Sequence, residues 1–409
     1  MTEILRRILA YARKVLRWEA HLDAVTDNRP SPQIPPAVIM RSAAVMFLSR
    51  LGSLNAFEQS ADRPFWHKWL GQAPPSADTM GRVADGLDVD GIRQLGHAVY
   101  SRLKRNKALK PFPNGVLLAV LDGHESHATF RRHCTGCLER TVHTARGDRT
   151  QYYHRHVTLQ LVGPTIHLML DAEPICPGEG ETAAATRLLE RVIAAYPRAF
   201  DLVLGDALYA DAMFFNYVWS KGKDVIAVLK DERRDLYTDA QSLFARVTPV
   251  MVSRAHRRCR CWDIEGFTSW PQVTAPVRVV RSIERYTIHR QLTDEDEQQE
   301  AHWMWVTTAS SKRISTRKIV HFGHLRWTIE NEGFNELSTR WHADHVYKHT
   351  AKAMLAFLLL LMVCSNVFLA FYRLNLKPAR RRACSMLHIT RLIAAELYQA
   401  SRGPPRAPT

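Results

Sequence analysis

Three acids of this chain stand where an acid can hold a divalent cation. Asp122 ends the apolar run Val-Leu-Leu-Ala-Val-Leu, and Asp206 closes Asp-Leu-Val-Leu-Gly. Glu330 lies four residues after Arg326 in Arg-Trp-Thr-Ile-Glu-Asn-Glu-Gly-Phe-Asn, a spacing that puts acid and arginine on one helix face. Hard ions such as magnesium take oxygen ligands. Two of them a few ångströms apart activate an attacking oxygen and stabilise the leaving oxygen of a phosphodiester. Two aspartates held at strand ends and a glutamate brought in on a helix would make such a set. The other nearby acids, Asp171, Glu179, Glu181, Asp211, Glu332 and Glu336, are expected to be solvated or capping residues, and Glu332 falls on a different helix face from Glu330.

The elements that must position these acids read as a mixed α/β fold. Val116 to Leu121 predicts a short buried strand ending at Asp122, and Val157–Val162 with Thr165–Leu170 predicts a hairpin around Gly163-Pro164. Helix 182–195, strand 202–204, helix 210–220 and strand 225–229 follow, giving β-β-β-α-β-α-β, an order compatible with a ribonuclease H-like domain. The pattern then breaks for a β-rich insertion over 231–305, with strands at 278–289 and 303–308 separated by the acidic stretch 294–297. Ser315 is expected to cap the helix that carries Arg326 and Glu330.

Ahead of this lies a basic helical region. Ile4, Leu5, Ile8, Leu9, Ala12 and Leu16 keep three-and-four spacing, a proline-rich linker covers 30–36, and a helix over 37–51 meets Gly52-Ser53 and a second helix from Leu54. Ser76 is a further expected cap. The domain boundaries read from this are 1–110, helical and DNA-binding; 111–230, first catalytic part; 231–305, insertion; 306–372, second catalytic part; and 373–409, a basic tail.

Composition bounds the partners. The 409 residues exceed one compact core and carry 56 Lys and Arg against 40 Asp and Glu, a net charge of +16, which favours a polyanion. Seven cysteines give no disulfide framework, and the N-terminus lacks a signal-peptide core, so a cytoplasmic protein is expected. Residues 353–372 are uncharged and long enough to span a membrane; the competing reading is a helix buried in a large core.

Leu121-Asp122-Gly123, Gly205-Asp206-Ala207-Leu208-Tyr209 and Arg326 to Asn335, in this order over about residues 110–372, resemble the cut-and-paste DDE transposases of bacterial insertion sequences, in the group with a β-rich insertion between the second Asp and the Glu. The resemblance implies a ribonuclease H-like catalytic domain whose Asp122, Asp206 and Glu330 bind two Mg2+ ions, or Mn2+. It further implies double-stranded DNA as partner, both terminal inverted repeats and target, with cleavage, strand transfer and a homodimer in the DNA complex. Arg326 is placed near DNA phosphate; Tyr209 is a further expected DNA contact, and Arg340 or Lys348, although off the family's spacing, is expected to supply the cation of its signature lysine. It also implies a very hydrophobic helix under the sheet at 353–372, and no membrane. The chain departs from the family signature at Gly323, where a tyrosine is usual, and at Leu337 or Ser338, where a lysine is usual. An inactive relic, or a ribonuclease H-fold nuclease, is therefore the alternative expectation.

Two features stand apart from the acids. Cys134-x-x-Cys137 and Cys259-x-Cys261, beside His133 and His256, are candidate ligands of a structural zinc, whereas His154 and His156 are expected to be structural. Trp262, Trp270, Trp303 and Trp305 of the insertion are candidates to stack on an unpaired base, with core packing the rival role of each.

Overall fold

The computed structural model describes residues 4–131, 133–230, 234–254 and 256–398. In chain order its helices and strands are α1 (Ile4–Tyr11), α2 (Trp18–Asp23), α3 (Pro36–Leu48), α4 (Leu54–Glu58), α5 (Pro64–Leu70), α6 (Ala77–Ala84), α7 (Val89–Arg105), β1 (Leu118–Thr129), β2 (Leu138–Thr144), β3 (Gly147–Val162) and β4 (His167–Pro174). They continue with α8 (Glu181–Ala195), β5 (Leu202–Gly205), α9 (Ala212–Ser220), β6 (Asp224–Val228), α10 (Asp235–Phe244), β7 (Val250–Arg254), β8 (Arg257–Glu265), β9 (Arg278–Arg290) and β10 (Glu295–Thr307). Last come α11 (Thr316–Leu325), α12 (Asn335–Trp341), α13 (Ala351–Ala370), α14 (Pro378–Ala383) and α15 (Met386–Tyr398). The chain is thus mixed α/β. It forms two compact units, one of Met1–Lys110, Gly123–Leu188 and Asn331–Thr409, the other of Pro111–Asp122 and Leu189–Glu330.

The second unit is built on a mixed sheet. β5 and β6 are buried along their whole length, as apolar runs in a central parallel sheet must be. β5 pairs in parallel with the start of β1 and with β6, and β10 then joins β6 antiparallel. The insertion's strands continue this sheet as an antiparallel meander, β10-β9-β8-β7. β10 therefore runs through residue 305 without a break, its far end in the insertion and Trp305–Thr307 against β6. The acidic stretch expected to separate the strands is instead mostly inside β10. Its charges are balanced across the hairpin, Glu297 against Arg290 at 2.7 Å and Asp296 against His289 at 3.1 Å, so the acids suit a strand there.

β1 corrects a second expectation, since it does not end at Asp122 but continues to Thr129. The extension escapes a reading of apolar runs because Gly123 to Thr129 are only partly buried and mostly polar. β2, likewise polar and largely exposed, pairs with the first half of β3 and was not expected. The β3–β4 hairpin does form, with a register shift at Leu159/Gln160. Ser76 caps α6 through the Thr79 amide, while the helix after Gly52-Ser53 is the short α4.

The apolar helix α13 lies in the first unit, packed by α3, α7 and β4, and its most apolar window is 78% buried. Thr350 caps it by accepting from the Ala353 amide at 3.4 Å. Its one carboxamide, Asn366, faces β4: the Met169 amide donates to Oδ1 at 3.0 Å, and Nδ2 donates to the Met169 carbonyl at 2.7 Å. A polar residue so placed is a clamp between core helix and strand. Asn366→Leu should leave both Met169 groups unsatisfied and cost about 2 kcal/mol, read as a lowered denaturation midpoint. An unchanged midpoint would show that the clamp contributes nothing.

Candidate active site

Asp122 and Asp206 lie on paired strand paths. β1 and β5 pair as Leu118↔Leu202, Ala119↔Val203 and Val120↔Leu204; Asp122 follows two residues later within β1, and Asp206 two residues later in the turn that leaves β5. Such strands lie about 4.8 Å apart. The turn after β5 explains Gly205-Asp206-Ala207-Leu208-Tyr209. A Cβ on Gly205 would come within 2.7 Å of Tyr209, so glycine allows the tyrosine to fold back beneath the turn. Asp206 fixes that turn by accepting from the Leu208 amide at 2.9 Å.

Glu330 arrives on a helix whose start is held by buried charge. Arg278, 2% exposed, donates to both oxygens of Asp263 at 2.8 and 2.6 Å and to the carbonyls of Ala309 and Ile314 at 2.9 and 2.7 Å. Ser315 takes the capping position of α11 as expected, but the side-chain anchor is Thr316, whose hydroxyl donates to Asp263 at 2.6 Å. Beyond α11 the helical path loosens into a π segment, Ile329–Phe334, with Glu330 in its first turn. Such bulges re-aim side chains and are frequent at functional sites.

One guanidinium nitrogen joins the acids. Arg326 Nη1 donates to Glu330 Oε1 at 2.7 Å and to Asp122 Oδ2 at 3.3 Å. Arg326 is only 7% exposed, and its guanidinium lies 4.0 Å from the centre of the Trp327 ring. Trp327 itself is exposed and meets Trp303 edge-on. The sequence reading passed over it because it lies outside the insertion; its place beside the arginine of the Glu helix was the available signal. Tyr209 corrects an expectation in the other direction. Expected as an exposed DNA contact, it is fully buried against Phe214, where it supports the Asp206 turn. Arg340 and Lys348 belong to the other unit, where Arg340 pairs with Glu336 at 3.0 Å.

The competing acids all have partners of their own. Asp171 pairs with Arg93, Glu179 with Arg187, Glu181 with Arg155, Glu332 with His167 and Glu336 with Arg50 as well as Arg340. Asp211 caps α9 through the Phe214 amide.

Behind Arg326 the helix is braced by aromatic rings and one buried acid. Trp303 and Trp305 stack on each other, and both meet His324 edge-on. His324 Nε2 lies 2.6 Å from Glu284. Burial would raise the Glu284 carboxyl, but hydrogen bonds and charge from His324 and Arg257 outweigh it and hold the acid below the usual carboxylate range. Trp305 is buried, which makes it a packing residue; Trp270 packs on Phe215, and Trp262 donates to the Val247 carbonyl at 3.0 Å. Trp305 also accounts for the missing signature tyrosine. A Cβ on Gly323 would stand 2.3 Å from Trp305 Nε1, so the indole fills the space that a side chain would need.

This makes a prediction of unusual sign. Gly→Ala inside a helix ordinarily stabilises by about 1 kcal/mol. Gly323→Ala should instead destabilise by about 1–3 kcal/mol through overpacking against a ring that cannot turn. In a Trp305→Ala background the same change should lose its penalty. Equilibrium denaturation of the four proteins measures the coupling, and a stabilising Gly323→Ala in the parent chain would refute the contact.

No curated protein matches the chain. Residues 120–367, which enclose all three acids and cover more than half of the chain, match the family described as Transposase DDE domain, and the chain belongs to that family.

Proposed function

We propose that the protein is a DNA transposase that binds the terminal inverted repeats of its own element, cleaves DNA at those ends and transfers them to target DNA. The observation that carries this reading is the shared Arg326 nitrogen between Asp122 and Glu330, with Asp206 in the turn directly after β5, the strand that pairs with β1. The catalytic part is proposed to be ribonuclease H-like, divided as 111–230 and 306–372 around the insertion at 231–305. Residues 1–110 and the basic tail 373–409 are proposed to add DNA contacts, two copies to act together on paired ends, and the site of action to be chromosomal DNA in the cytoplasm. The buried setting of α13 supports a core helix rather than an anchor.

The donors of this site are three carboxylates without a soft ligand, which suits Mg2+ or Mn2+. Bound there, two such ions would activate the attacking oxygen and stabilise the leaving one. The chain's own groups do the positioning. Asp206 is rigid because its turn uses it as a cap. Asp122 and Glu330 are kept together by Arg326, which offsets their repulsion before any cation binds and has the fork geometry to turn toward a phosphate. Trp327 offers an exposed ring beside that arginine on which an unpaired base at a cut end can stack. Arg340 and Lys348 are proposed as phosphate contacts. A net charge of +16 implies binding that weakens steeply with salt.

The absence of a lysine at Leu337 or Ser338 favours a second reading, a DNA-binding copy that has lost strand transfer. Leu337 is buried, so a lysine there would need a different helix setting.

The test uses duplexes carrying the inverted repeats that flank the coding region, with purified protein and Mg2+. Specific nicking at the repeat ends is expected, falling by more than about a hundredfold in Asp122→Asn, Asp206→Asn or Glu330→Gln, the scale for losing one group that stabilises charge in a transition state. Binding to the repeats should survive in these variants. Binding without cleavage by the parent protein would establish the second reading, and cleavage undiminished in Asp206→Asn would overturn the assignment of the site. Trp327→Ala should lower joining of pre-cut ends by about tenfold with duplex binding intact, consistent with about 1–3 kcal/mol for one stacked base; equal joining would exclude the stacking role.

A further inference from the structure

The Cys134–Cys137 loop carries a second constellation, unrelated in chemistry to the three acids. Cys134 and Cys137 meet His154 of β3 and His349, the residue before the cap of α13, and their ligand atoms all lie within 4.8 Å of one another. Cys137 and His154 are buried, and Cys134 and His349 partly so. His349 is 212 residues from Cys137 in sequence, so nothing local gathers the four.

Four of the six distances among the ligand atoms have tetrahedral size. The two Sγ atoms are 3.9 Å apart, Cys134 Sγ is 3.4 Å from His154 Nε2, and Cys137 Sγ is 3.3 Å from His154 Nε2 and 3.6 Å from His349 Nε2. A zinc ion with bonds of about 2.3 Å to sulfur and about 2.05 Å to nitrogen requires edges of about 3.8 Å between sulfurs and about 3.6 Å from sulfur to nitrogen in a regular tetrahedron. The match is within about 0.3 Å on every edge given. A disulfide does not explain the pair, since bonded sulfurs lie at about 2.05 Å. No carboxylate belongs to the set, and two thiols with two imidazoles select a borderline-soft ion over magnesium. The loop is also pressed home: a Cβ on Gly136 would come within 2.6 Å of the Ala351 Cβ, so only glycine lets the Cys-x-x-Cys turn approach the start of α13.

We infer that Cys134, Cys137, His154 and His349 bind one zinc ion in a closed, structural site that ties the loop after β1 to the start of the core helix α13. This redraws the zinc ligands expected from sequence. His133 stacks on Tyr152, and Cys259 and Cys261 are buried on β8, where Cys261 faces Ser282; none of these joins the set. His154, expected to be structural, is a ligand. A site of four protein ligands leaves no position for water or substrate, so its role is to hold the fold rather than to react.

The test is the metal content of the full-length protein purified without chelator. About one zinc per chain is expected, retained in Asp206→Asn and Cys261→Ser and lost in Cys137→Ser and His349→Ala. Where those two variants do not fold, the parent chain decides the matter: cobalt(II) exchanged into it should show the intense visible absorption of a tetrahedral site with thiolate ligands, and a strong chelator should lower its melting temperature. A parent protein that holds neither zinc nor cobalt overturns the inference. So does zinc that persists in Cys137→Ser or His349→Ala, or cobalt bound without thiolate character.

Discussion

Asp122 and Glu330 meet at one guanidinium nitrogen and without it would repel one another, and much of the second unit can be understood as the means of holding that arrangement. Two unit charges about 4 Å apart interact by about 4 kcal/mol at the effective dielectric of a protein surface, which is comparable with a large share of a domain's stability. Arg326 answers this by giving one nitrogen to both Asp122 and Glu330. The arginine is itself nearly buried, so it must be held from behind, and the Trp327 face and the helix supply that support. The helix in turn depends on Arg278 and Asp263, whose paired charges fasten the chain just ahead of α11 to β8 and β9. A chain of charge compensation thus runs from β8 and β9 to Glu330. These strands are consequently part of the support of the Arg326 helix, because they extend the same sheet and supply the groups that lock it.

How much of this was legible in the sequence depends on the range of the interaction. Asp122 and Asp206 followed apolar runs of four to six residues, which announce central strands, and β1 and β5 do pair just ahead of them. Glu330 and Arg326 showed their relation through i,i+4 spacing, and the observed 2.7 Å contact is that spacing realised. Strands and helices with strong local patterns, such as β5, β6, α8 and α13, lie where periodicity puts them. The buried state of α13 was open on sequence grounds, since length and apolarity are equal in a membrane span and a core helix. Asn366 bridging to Met169 shows what the hydropathy profile cannot express, a polar side chain whose partner belongs to a distant strand.

The parts that stayed illegible have the opposite character. β2 and the second half of β1 are polar strands, stabilised by cross-strand pairing and not by an apolar face, so no alternation marks them. The acidic 294–297 stretch resembles a loop until its basic partners on β9 are seen opposite it. Tyr209 reads as an available ring beside a catalytic acid, but the glycine four residues earlier lets it turn inward. His349 belongs with Cys134 and Cys137 only in three dimensions. In that case the spacing of Cys134 and Cys137 identified half of a ligand set, whereas Cys259-x-Cys261 and the sequence-adjacent His133 and His256 do not supply the other half.

Gly323 shows why a departure from a family signature need not reach the chemistry beside it. The position faces Trp305, and Trp305 sits in the stretch of β10 that pairs with β6, the neighbour of β5 in the same sheet. Filling the space from the sheet with an indole, and emptying it on the helix with a glycine, keeps the volume between them occupied. Neither exchange touches the nitrogen that joins Asp122 to Glu330, because Arg326 lies almost a full turn further along the helical path. The hydroxyl of a tyrosine is lost, but the packing that aims the helix is retained, with His324 and Glu284 bracing the same face. The Arg326 contacts to Asp122 and Glu330 and the signature tyrosine are therefore separable properties, and the structure keeps the first while lacking the second.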